Sequence, residues 1–303
     1  MILVQSRVSA EWLELREPAD AAARSRDLVK HLRRHLPATS CRIIHDLACG
    51  TGSMGRWLAP LLPGPQHWVL HDREADLLQV AAAELPGPAA DGADVVAETR
   101  QSDVIHLRPD DLADATLITA SALLDLLTEE ELEGLISVCA KTACPVLLTL
   151  SVVGRVVLAP ADPLDSRVAT AFDAHQRRMT AGGRLLGPDA VAAAVEGFRR
   201  LGADVLVRPT PWRLGAAEAD LAAEWLTGWI GAACQQSVEL ASAAGSYTRR
   251  RLSEARAGEL AVTVGHADLL VLPSHRCPRN HWPFSHVRVD ATRWEDARTD
   301  REA

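Results

Sequence analysis

Short apolar runs of five to eight residues alternate along this chain with longer stretches in which apolar or alanine positions recur three and four residues apart. Runs of the first kind read as buried strands and stretches of the second kind as helices. Strands are expected at about 43–48, 68–72, 94–99, 116–120 and 145–152, with helices over 53–61, 74–84 and 128–142. The last helix opens Thr128-Glu129-Glu130-Glu131, a capping-box pattern. One helix, 18–36, precedes the first strand. After 152 the pattern loosens as far as Pro163, then resumes in helices at 166–178 and 188–201. The second of these begins at Gly187-Pro188-Asp189, with proline in the first turn where it is favoured. A sixth strand is expected at 203–208, a seventh at 260–271, and two helices lie between Gly215 and Gly258.

Such alternation predicts a parallel sheet with helices on both faces. Ligands on these sheets bind beyond the carboxyl ends of the strands. The first strand runs into a glycine turn, Ile43-Ile44-His45-Asp46-Leu47-Ala48-Cys49-Gly50-Thr51-Gly52-Ser53-Met54-Gly55. Gly50, Gly52 and Gly55 spell a dinucleotide fingerprint, in which a glycine turn and a helix N-terminus hold a pyrophosphate. Any tight strand-to-helix turn also favours residues tolerant of positive φ. Asp46 changes the balance, because a carboxylate there repels a pyrophosphate and attracts a cationic ligand. The second strand ends in Asp72, about 20 residues beyond Gly52, the spacing of an acid that accepts from ribose hydroxyls. Asp72 equally suits the cap of a helix starting at 73 or 74.

Asp46, Gly50 and Gly52 together form D-x-x-x-G-x-G, which resembles motif I of class I S-adenosylmethionine (SAM) dependent methyltransferases. The resemblance covers roughly residues 16–272 and implies a methyltransferase domain over 1–272. Its fold would be α/β: a Rossmann-like, doubly wound, seven-stranded, mostly parallel sheet with an antiparallel last strand and an N-terminal helix. A helical insertion at about 215–258, between strands six and seven, departs from the family's simple hairpin and would cover the acceptor pocket or form a homodimer surface. The implied cofactor is S-adenosyl-L-methionine. Asp46 would lie near its methionine end, with the backbone of Ala48, Cys49, Gly50 and Gly52 approaching it. Asp72, with Arg73 beside it, would meet the ribose, and Asp103, next to Ser102, the adenine amine. Ser121 and Ala122, after the fourth strand, would line the cofactor and face the methyl acceptor. The Asn/Asp-Pro-Pro-Tyr motif of many nucleobase methylases is absent. His175, on the helix after strand five, is the candidate proton acceptor, with a helix-surface or core histidine as the alternative. Trp212, Trp225 and Trp229 are candidates for an apolar acceptor pocket, although the last two, four residues apart, also suit a core face.

The 303 residues are 48% hydrophobic, with no run near the roughly 18 apolar residues of a membrane helix. The first residues lack a secretory pattern, so a soluble, cytoplasmic protein is expected. A net charge of −8 argues against DNA or RNA as partner, and the short arginine clusters read as solvated helix faces. Six cysteines without a C-x-x-C pair argue against a disulfide framework. His275, Cys277, His281 and His286 match no zinc spacing, so no metal is expected; 273–303 reads as a C-terminal extension, disordered after about 290. The function expected is methyl transfer from SAM to oxygen or nitrogen of a small metabolite. An NAD(P)- or FAD-dependent oxidoreductase and a non-catalytic SAM-binding regulatory partner remain as alternatives.

Overall fold

The computed structural model describes residues 8–36, 41–84 and 86–273, so the four tail histidine and cysteine positions and the expected extension fall outside the described residues from 274 on. Two helices, α1 (Ala10–Ala23) and α2 (Arg26–His35), stand where one was expected. Ser9 and Ser25 each cap a helix, accepting from the N–H of Trp12 and of Leu28. Pro18 lies inside α1 rather than opening the helix. The chain breaks at Ser25 because its N–H is drawn to Asp268 Oδ2, 2.8 Å away, a tertiary contact that local pattern does not encode.

The elements that follow are β1 (Arg42–Leu47), α3 (Ser53–Leu58), β2 (Gln66–Asp72), α4 (Ala75–Ala83), β3 (Val95–Gln101), β4 (Leu117–Ser121), α5 (Glu129–Thr142) and β5 (Val146–Ala159). Then come α6 (Asp165–Gln176), a short hairpin of β6 (Met179–Thr180) and β7 (Gly183–Arg184), α7 (Ala190–Arg200), β8 (Asp204–Pro209) and β9 (Trp212–Leu214). The described chain closes with α8 (Ala219–Gln236), α9 (Val238–Arg256) and β10 (Ala261–Leu272). The main sheet runs β3-β2-β1-β4-β5-β10-β8, parallel from β3 to β5, with β10 antiparallel to both its neighbours. This is the expected doubly wound, seven-stranded, mostly parallel sheet with an antiparallel last strand, and β9 is added as an eighth strand on β10. The capping box at Thr128 and Glu131 forms as read.

Helices α2, α3 and α4 cover one face through Leu28, Met54, Leu58 and Leu78, packed on Ile44 and Trp68. On the other face α5 and α7 bury Leu132, Ile136 and Phe198 against Ile118 and Leu148. β5 continues to Ala159 where an irregular stretch was expected from 152, because the first half of β10 pairs with it as far as Ala261↔Ala159. Leu150, at φ +56°, and two register shifts bend this ribbon away from the parallel sheet. The bent ribbon, β9, α6, α8 and α9 enclose a third core around Trp212, Leu226, Trp229 and Tyr247. Arg251, 1% exposed, ties this cap together with two bonds to Asp165 of 2.7 and 2.8 Å. Among the described residues no helix is long and apolar enough to cross a membrane.

Candidate functional site

In the order β3-β2-β1-β4-β5 the connections diverge between β1 and β4, the switch point at which open α/β sheets bind ligands. Ala48 and Ala122 follow these two strands, and both take φ +52°, a left-handed conformation uncommon for residues with a Cβ. Gly50 follows at φ +56°. The loop consumes its own donors: Cys49 N–H goes to His71 O, Gly52 N–H to Cys49 O, and Gly50 N–H to Asp72 Oδ2 at 2.8 Å. Gly52 is turned away toward α4, where a Cβ would sit 3.4 Å from Ala81, and Gly55 packs α3 closely on Trp68.

Asp46 is 1% exposed at the end of β1. Its Oδ1 accepts from Thr119 Oγ1 at 2.7 Å, whereas Oδ2 is buried and has no partner among the described residues. Burial pushes this carboxyl up to about 7; the Thr119 bond and the Arg24 charge oppose the rise, and Asp72 adds to it. Arg24, also buried, comes from the α1–α2 junction and donates to Ser53 Oγ and Ser121 Oγ, each at 3.1 Å. A cavity of about 50 Å³ opens here, bordered by Asp46, Ala48, Cys49, Gly50, Ser121 and Ala122 on the sheet side. Its roof is α1, through Leu13, Arg16 and Asp20. Asp20 holds the roof in place by accepting from Arg16 Nε and Trp212 Nε1, both at 2.9 Å. Burial raises the pKa of the Cys49 thiol and keeps it protonated, which suits a wall rather than a nucleophile.

A larger cavity, about 370 Å³, lies beyond the ends of β2 and β3, where His71, Ser102, Asp103, His106 and Asp111 converge. Asp103 caps a short 3-10 turn by accepting from the Ile105 N–H at 3.2 Å. Asp72 borders neither cavity. Besides the Gly50 bond it accepts from the Glu74 N–H at 2.9 Å, so it performs the helix-start role as well as bracing the glycine loop.

Six of the expected residues (Asp46, Ala48, Cys49, Gly50, Ser121 and Ala122) thus meet at the first cavity, and Ser102 and Asp103 at the second. Gly52, Asp72 and Arg73 border neither, Arg73 being 57% exposed beside Glu74. His175 also stands apart: its ring meets Gln235 of α8 at 3.2 Å and it borders neither cavity. Trp212 and Trp229 lie in the core of the cap, with Trp225 stacked on Trp229 at 5.1 Å, so packing rather than an open acceptor pocket accounts for them. Arg24, Thr119, Arg16 and Asp20 were not singled out from sequence. Of these, Thr119 had a readable signal, a polar residue inside an apolar strand that requires a buried partner.

No family model matches the chain, and no curated protein does. Solved structures share its overall shape loosely. A cyclopropane synthase from Mycobacterium tuberculosis is 14% identical, with 87% of this chain and 94% of that one covered at a TM-score of 0.45. A SAM-dependent methyltransferase from Geobacter sulfurreducens, in complex with S-adenosyl-L-homocysteine, is 15% identical over 88% and 99%, at 0.42. A SAM-dependent methyltransferase from Thiobacillus denitrificans gives 13% over the same shares, also at 0.42.

Proposed function

We propose that this protein is a SAM-dependent methyltransferase acting on oxygen or nitrogen of a small molecule. The observation that carries the proposal is the unpartnered, buried Oδ2 of Asp46 at the switch point, beside a glycine loop in which the N–H groups of Cys49, Gly50 and Gly52 are already used. A pyrophosphate needs free N–H donors and no nearby carboxylate. Here three donors are consumed and Asp46 and Asp72 face the loop, which argues against a dinucleotide oxidoreductase. A ligand with an α-ammonium and a sulfonium suits the same site, since a cation satisfies the orphaned oxygen.

The residues present fit such a cofactor. Asp46 would hold the α-ammonium, Asp72 has carboxylate lone pairs left for ribose hydroxyls, and Ser102 and Asp103 offer acceptors to an adenine amine. When bound, SAM supplies an electrophilic methyl group on sulfur, open to in-line attack. The protein's task is then to align an acceptor lone pair and exclude water, which needs no dedicated base for a nucleophilic acceptor. The α1 roof and the cap behind it would perform that exclusion. The first cavity is close to the space of one or two waters, so α1 must move outward to admit the cofactor. A net charge of −8 supports a small acceptor rather than a nucleic acid.

The test is calorimetric titration of SAM into wild type, Asp46→Ala, Asp72→Ala and the variant carrying both. Micromolar binding that weakens at least tenfold in each variant is expected. Binding unaltered in the double variant would refute the site assignment, and formation of S-adenosylhomocysteine with cell extract would separate an enzyme from a binding module.

A further inference from the structure

A chain of hydrogen bonds runs from a surface carboxylate through two buried histidines to the larger cavity. Asp114 Oδ1 lies 2.9 Å from His45 Nε2, His45 Nδ1 lies 2.9 Å from His71 Nε2, and His71 Nδ1 lies 2.9 Å from Ser102 Oγ. The two imidazoles are fully enclosed, at 0% and 1% exposure, and nearly parallel, with ring centroids 5.2 Å apart. We infer that Asp114, acting through His45 and His71, fixes the Ser102 hydroxyl as a hydrogen-bond acceptor toward the cavity, so that the site selects a purine bearing an exocyclic amine over its 6-oxo counterpart. The inference rests on the cofactor reading above and names how that cofactor's base is told apart from a near isostere.

The direction of the chain follows from its ends. Asp114 is 52% exposed, and a carboxylate only accepts. His45 must therefore carry its proton on Nε2. A neutral imidazole has one donor and one acceptor, so His45 Nδ1 accepts and His71 Nε2–H donates to it. That leaves His71 Nδ1 as an acceptor, and Ser102 Oγ–H donates to it. With its one hydrogen committed, Ser102 presents only lone pairs to the cavity. Neutrality of both rings agrees with their setting: burial lowers His45, and burial with the neighbouring imidazole holds His71 at about 4. Asp103, beside Ser102, adds a second acceptor. An amine donates to this pair, whereas a carbonyl would face it with both sides lacking a hydrogen.

Asp114 does not border the cavity, which makes it a positioning residue that can be tested without touching the ligand. Asp114→Asn lets the amide donate to His45 Nε2. Both imidazoles can then switch to the Nδ1–H form, His71 donates to Ser102, and the serine hydrogen is released toward the ligand. The experiment titrates the full chain, as wild type, Ser102→Ala and Asp114→Asn, with S-adenosylhomocysteine and with S-inosylhomocysteine, its 6-oxo analogue. Wild type should prefer the amine by roughly ten- to hundredfold, the usual cost of unpaired buried polar groups. The preference should fall several-fold in both variants. Nitrogen-15 spectra of the ligand-free wild type should show both His45 and His71 in the Nε2–H form, shifting toward Nδ1–H in Asp114→Asn. If neither ligand binds wild type, the cofactor reading falls and this inference with it. If both bind but the preference is the same in all three proteins, or if wild-type His71 carries its proton on Nδ1, the inference alone is overturned.

Discussion

Protonation of Asp46 should govern the affinity for a cationic cofactor. In the free protein burial holds this carboxyl at about 7, so below that pH it is mostly neutral. A bound α-ammonium favours the ionised form, so binding must expel the proton. The sign follows: affinity rises with pH up to about 7 and levels off above it. Each pH unit below the free-protein value costs a factor of about ten, giving roughly tenfold weaker binding at pH 6 and roughly hundredfold at pH 5. The α-ammonium itself stays charged over that window, its ordinary pKa being about 8. Asp46→Asn preserves an acceptor for Thr119 Oγ1 but cannot ionise, so its weaker binding should be flat from pH 5 to 7. Calorimetry at pH 6 in two buffers of different ionisation heat should count close to one proton released by wild type and none by the variant. A wild-type affinity that does not change between pH 5 and 7, or a slope that survives in Asp46→Asn, would refute the reasoning.

Other consequences can be checked separately. Without cofactor, ionised Asp46 works against folding: its folded pKa lies above the unfolded value, so the cost is absent below about 4 and complete above about 7. Asp46→Asn should therefore raise the ligand-free melting temperature at pH 8 by a few degrees, with the gain shrinking toward pH 5, as differential scanning fluorimetry would show. Gly50→Ala places a Cβ 2.9 Å from Leu13 Cδ1 at φ +56°; about 1–2 kcal/mol of backbone strain, in a loop that borders the first cavity, should weaken SAM binding tenfold or more. Arg251→Ala removes two bonds from the carboxylate of Asp165 and should cost about 3–5 kcal/mol, lowering the melting temperature by about 10 °C. Amide exchange in α1 should change on addition of S-adenosylhomocysteine as the roof shifts outward to seat the ligand, and unchanged exchange would show that α1 does not cover it.

Much of the frame was legible because it rests on local rules. The β1–glycine–α3 passage, the Thr128 capping box and the strand-to-helix alternation are written in consecutive residues. What escaped reading depends on register between distant segments. His45 and Asp114 meet across 69 positions and Ser25 and Asp268 across 243, so each appears in sequence as an isolated polar residue. The length of β5 depends on its pairing with β10, and its second half, interrupted by Gly154 at φ +68°, carries no clean alternation. In sequence, only its place after the fifth strand points to His175. The continuation of β5 into the bent ribbon instead carries α6 into the cap, where the ring meets Gln235. Asp46, the acid before the glycine turn, was readable, but its orphaned oxygen was not, since that depends on Thr119 occupying one side and burial closing the other.

The structure of the complex with S-adenosylhomocysteine tests the central claim most directly. The account predicts the amino group bonded to Asp46 Oδ2, the ribose at Asp72, the adenine beside Ser102 and Asp103, and α1 displaced outward. A ligand bound elsewhere, or one whose amino group lies away from Asp46 while that carboxyl keeps its unpartnered oxygen, would contradict it.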